Sequence, residues 1–154
     1  MTIWILKNNI FLMELDKPDF ILLDHTGDLG IIVHGTDPKD LFEEAAKSMT
    51  YIMVRGKTDE KAKSVKLSVP GHDMDDLMVR WLGEILYLFE GEKKVITDVE
   101  IDVISPFRLD ARLKTIYFDP NLLEIINDIK AVTYHQIEVT KKGDRWESRI
   151  IFDL

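Results

Sequence analysis

Two short stretches hold the side chains best suited to chemistry. Residues 24–30 read DHTGDLG, with Asp24 and Asp28 four apart around His25, Thr26 and Gly27. The chain ends in IIFDL, so Asp153 stands one residue before the terminal carboxylate of Leu154. Oxygen donors of this kind suit hard cations, calcium or magnesium, and a turn can aim a carboxylate and neighbouring carbonyls at one point. A plainer reading competes for 24–30: a loop in which Asp24 and Thr26 satisfy local backbone donors while the glycines permit a sharp bend. The chain end bears on the choice. Termini usually fray, yet an apolar strand running into Asp153-Leu154 points to a docked terminus that carries its carboxylate with it. Asp28, Asp153 and the Leu154 carboxylate would then make an oxygen-only cage, self-repelling unless a cation sits within it.

Other chemistries find less support. The chain has no cysteine, which removes disulfides, thiolate zinc sites and a cysteine nucleophile together. Its histidines, at 25, 34, 72 and 135, form no H-x-x-x-H pair. Neither a G-x-S-x-G elbow nor a phosphate-binding glycine loop is present. Acid-base work by a carboxylate pair stays open in so acidic a chain. A net charge of -8 repels nucleic acid as a whole, so contact with RNA is expected only through a protein partner. The apolar start, MTIWILKNNIFLM, is interrupted by Lys7, Asn8 and Asn9 and falls short of the roughly 20 apolar residues that span a bilayer. No membrane attachment is expected, and a cytoplasmic location is.

The elements that must position these residues read as one α+β domain: two amphipathic helices packed on a largely antiparallel sheet. Residues 1–18 read as an extension of unknown role and 19–154 as the domain. Phe20–Leu23 and Ile31–His34 are strands on either side of the 24–30 turn. Asp37 and Pro38 cap and open a helix whose apolar face is Leu41, Phe42, Ala45, Ala46, Met49, Ile52 and Met53, ending near Gly56. A strand holds Val65, Leu67 and Val69, closed by Pro70-Gly71. The second helix runs from about Asp73 to Glu90, burying Leu77, Trp81, Leu82, Ile85, Leu88 and Phe89, with Asp73, Asp75 and Asp76 at its positive end. Strands are expected over 95–104, 107–113, 131–139 and 146–152, and a short helix or loop over 121–126.

Taken in order, DHTGDLGIIVHG, LFEEAA, LMVRWLGEILYLFE, KAVTYHQIEV and a closing W-x-x-x-x-I-x-D-L resemble the archease family over roughly residues 20–154. Gly27 stands where that family usually has alanine, and Leu154 where isoleucine is typical. The resemblance implies an accessory protein of the RtcB-type RNA ligase of tRNA splicing, an activator that promotes ligase guanylylation and multiple turnover and is not itself a catalyst. It also implies a calcium site with ligands at Asp28, Asp153 and Leu154, and a functional lysine at Lys130. Asp24 and His25 are candidates for orienting the loop from behind the ligands. Lys130 otherwise reads as a solvated strand-end lysine, and Trp146 as core. Two further readings stand beside this one: a general chaperone or scaffold, and a metal-dependent hydrolase.

Overall fold

The computed structural model describes residues 2–7, 10–15, 17–25, 27–58 and 60–154, with the side chains of 2–15, 24 and 25 outside that description. Two helices organise the core. α1, Pro38–Met53, opens at Asp37, whose side chain accepts the Asp40 amide at 2.8 Å, and proline at the first turn costs no hydrogen bond there. α2, Met74–Glu92, opens the same way, Asp73 accepting the Asp76 amide at 2.8 Å. The apolar stripes expected from spacing are the buried faces: Leu41, Phe42, Ala45, Ala46 and Met49 are fully buried on α1, and Leu77, Trp81 and Leu82 on α2. Trp81 Nε1 donates to the Phe42 carbonyl at 2.9 Å, satisfying the indole inside the core and joining the two helices.

The strands form three antiparallel groups. β1 (Thr2–Lys7), β2 (Ile10–Leu15), β5 (Val54–Thr58) and β9 (Leu123–Ile125) lie in that order in the first. The second runs β10 (Ala131–Val132), β12 (Arg145–Asp153), β4 (Asp28–Gly35), β3 (Phe20–His25), with β11 (Glu138–Lys142) also pairing β12. The third is β6 (Lys63–Pro70), β8 (Arg108–Tyr117), β7 (Lys94–Ser105). Its inner face is core, with Leu109 and Leu113 buried; its outer face is a charge ladder in which Arg112 holds Asp102 at 2.8 Å and Glu100 at 3.0 Å.

Several boundaries differ from the sequence reading, each for a local reason. The 24–30 stretch is not a seven-residue turn: β3 continues through His25 and β4 begins at Asp28, because β3 stays in register with β4 down to the His25–Asp28 pair. Gly27, at φ 83, takes the left-handed backbone that the tight connection needs. Helix α1 stops at Met53 rather than near Gly56, since Val54 goes straight into β5. Gly56 instead sits opposite Leu123 at φ 138, where a side chain would strike the Leu122 carbonyl. Residues 121–126 carry strand β9 rather than a helix, drawn into that pairing with Leu123 buried. The single strand expected over 131–139 is broken into β10 and β11 by a turn containing Gln136 at φ 53.

Candidate functional site

The sheet register assembles the candidate residues. His25 pairs with Asp28 across β3–β4, Asp28 with Asp153 across β4–β12, and Asp153 with Ala131 across β12–β10. Four strands thus contribute one row at one end of the sheet. Lys130 directly precedes that row and is tied to it, its amide donating to the Asp153 carbonyl at 2.8 Å. Directly opposed residues of an antiparallel pair share a face, with Cβ atoms about 4.5–5.5 Å apart, and like charges so placed repel. Asp28 and Asp153 are such a pair.

The strand that presents Asp153 is firmly held. Ile150, Ile151 and Phe152 are buried, Gly30 lies opposite Ile151, and a Cβ on Gly30 would come within 2.8 Å of the Ile151 side chain. The end of β12 is therefore docked, while Asp28, Asp153, Leu154 and Lys130 are exposed at its edge. Among the described residues, neither the Asp28 nor the Asp153 carboxylate takes a hydrogen bond or an ion pair. Nor, among them, do three or more His, Asp or Glu side chains gather to hold a metal. A third donor would come only from a terminal carboxylate on Leu154. Two carboxylates and a chain terminus are an oxygen-only set that fits a hard cation such as Ca2+ and does not fit a thiophilic metal. The candidates for orienting the loop, Asp24 and His25, have side chains outside the described residues, as has the whole of Thr26.

Sequence reasoning missed a second cluster, at the start of α2. Asp76 Oδ1 accepts the Tyr134 hydroxyl at 2.6 Å, and its Oδ2 accepts the His72 amide at 2.9 Å. His72 Nδ1 lies 2.9 Å from the same oxygen, and Arg80 Nε also 2.9 Å, an ion pair out of line for a hydrogen bond. Tyr134, then His72, hold the Asp76 carboxyl well below the usual carboxylate range, and the same bond pushes the Tyr134 hydroxyl up. Next to it, Asp75 Oδ1 accepts the Val139 amide at 2.7 Å. No local spacing reveals partners 58 and 64 positions apart. The remaining histidine expected at a strand end, His34, pairs with Glu147 at 2.9 Å, and Trp146 packs against the core.

Fold and site together define a small α+β domain whose C-terminal strand aligns its aspartate with one from a neighbouring strand. The model of the archease protein family (MTH1598/TM1083) matches residues 20–154, and the chain belongs to that family. It is 33% identical over 148 residues to protein archease of Methanosarcina barkeri, covering 92% of this chain and 100% of that one. Protein archease of Pyrococcus furiosus is 28% identical over 135 residues, covering 85% of this chain and 95% of its own. Two solved structures share the fold. The solution structure of protein 1598 of Methanobacterium thermoautotrophicum superposes with a TM-score of 0.66 at 24% identity, covering 88% of this chain and 98% of that one. The crystal structure of a Thermotoga maritima archease, described as a possible chaperone, gives 0.62 at 18% identity, covering 91% and 98%. Among the described residues, no helix is long and apolar enough to cross a membrane.

Proposed function

We propose that this protein is an accessory factor of an RtcB-type RNA ligase, raising its turnover in tRNA splicing by promoting ligase guanylylation. The observation that carries the reading is the register that sets Asp153 opposite Asp28 and Lys130 beside Asp153; membership of the archease family supports it. Asp28, Asp153 and the Leu154 carboxylate would hold a divalent cation, with Ca2+ the expected ion. When bound, it supplies positive charge that offsets the facing carboxylates and stiffens the chain end. Lys130 then offers an ammonium to an anionic group, a carboxylate or phosphate, on the ligase surface. RNA is met through the ligase, in keeping with a net charge of -8. The role is activation without catalysis, in the cytoplasm.

The test is RNA ligation with excess cyclic-phosphate substrate and limiting ligase. Product well beyond one joining event per ligase is expected with the protein present, falling to the ligase-alone level for Asp28→Ala and Lys130→Ala. Full stimulation by a folded, metal-free Asp28→Ala would overturn the site's role. A chaperone reading is favoured by one observation: Ile21 and Leu22, 52% and 58% exposed, lie on β3, an edge strand of its group. It predicts that Asp28→Ala still protects unrelated proteins from aggregation.

A further inference from the structure

The segment around Lys130 touches the core at intervals, through buried Ile129 and partly buried Val132 and Ile137, and between these points it depends on hydrogen bonds. β10 has only two ladder positions, Ala131 opposite Asp153 and Val132 opposite Phe152, and so short a strand fixes little by itself. Beyond it the chain turns away, with Gln136 in the left-handed region. Its hydrogen-bonded anchors beyond β10 combine backbone and side-chain groups. Thr133 donates twice to the Ile151 carbonyl, from its amide at 3.0 Å and its hydroxyl at 2.9 Å. The other two anchors come from the first turn of α2: Tyr134 Oη to Asp76 at 2.6 Å, and the Val139 amide to Asp75 at 2.7 Å.

Asp76 is built to hold still. Its amide is fixed by Asp73, and its second oxygen by the His72 amide. A short hydrogen bond onto an ionised carboxylate is among the stronger kinds. Tyr134, by contrast, is 58% exposed, so core packing does not explain its ring. The hydroxyl is what the fold uses.

We propose that Tyr134 and Asp76 form a latch that holds β10 on β12 and thereby sets Lys130 beside Asp153. They are positioning residues: the pair leaves the cation donors unchanged and acts through Lys130. What Lys130 does there rests on the proposed function; the latch does not.

Measurements on the full chain separate these layers. In Tyr134→Phe, amide hydrogen exchange over 130–134 should quicken by about tenfold relative to the rest of the sheet, the scale of one lost charge-assisted hydrogen bond. Unchanged exchange would overturn the latch. In the ligation assay, Tyr134→Phe should raise the protein concentration needed for half-maximal stimulation. Because Lys130→Ala leaves no stimulation to measure, the coupling is read in ligase binding by calorimetry. The rise in Kd caused by Tyr134→Phe should vanish in a Lys130→Ala background, because both changes then remove one and the same contribution. Losses that simply add would overturn the positioning role. Asp76→Asn, which keeps an acceptor for the hydroxyl, should stay closer to wild type than Asp76→Ala; equal losses would count against the latch. Should the wild-type protein itself fail to stimulate the ligase, the proposed function falls, and hydrogen exchange alone decides the latch.

Discussion

Two acidic clusters look alike in the sequence and behave differently in the fold. At the start of α2, Asp73, Asp75 and Asp76 each meet protein donors: an amide of the first turn, the Val139 amide, and the Tyr134 hydroxyl with the His72 amide, while Arg80 adds an ion pair to Asp76. The helix dipole favours negative charge there as well. At the end of the five-stranded group, Asp28 and Asp153 face each other, and among the described residues no donor answers either carboxylate. The first cluster is complete without help. In the second, the charge left unanswered among the described residues is what the proposed cation would offset. Acidic residues mark structure or function according to what faces them, not according to how many there are.

The sharpest way to break this contrast is to remove one carboxylate from each cluster. Asp28→Ala should cut calcium affinity by at least about 100-fold, since ligand number and charge set the affinity, while leaving the circular dichroism spectrum intact. Calorimetric titration checks this, and retained affinity would place the cation elsewhere. Deleting Leu154 moves the terminal carboxylate back by one residue and should weaken calcium binding by about tenfold, by the same titration.

Asp76→Ala should do the reverse, leaving calcium affinity unchanged and lowering stability by about 2 kcal/mol at neutral pH. This loss carries a pH signature. The folded carboxyl titrates below its unfolded value of about 3.9, so its contribution is complete above that pH and drains away as pH falls through the folded value. The Tm gap between wild type and Asp76→Ala should therefore begin to narrow below about pH 4 and be smaller, though not closed, at about pH 3 than at about pH 7, as read by thermal unfolding. A gap of the same size at both pH values would mean that packing, not charge, holds the latch. The smallest expected effect is the most telling. With chelator present, Asp28→Asn should raise stability by about 0.2–1 kcal/mol, the scale of a relieved like-charge cross-strand pair. With calcium present it should lower stability instead. A change of the same sign in both conditions would show that no cation is linked to folding.

Much of this was legible in the chain. Apolar spacing identified both helices and their buried faces, because a helix that buries one side repeats every three to four residues whatever it packs against. Asp37 and Asp73 announced the helix starts, because capping is satisfied within three residues. The apolar run before Asp153 foretold a docked end, since Ile150, Ile151 and Phe152 had to be buried somewhere. What depended on distant partners was not legible. Strand β9 exists because β5 lies beside it, and the break between β10 and β11 reflects the turn at Gln136 and the pull of Asp75 and Asp76 from α2. The two ends of the candidate site are the clearest case. Sequence chemistry named Asp28 and Asp153 as carboxylates worth pairing, but residues 125 positions apart share a site only through register. That register is set where β12, from Trp146 to Asp153, pairs with β4 and buries its apolar face, since a slip by one residue would turn that face to solvent.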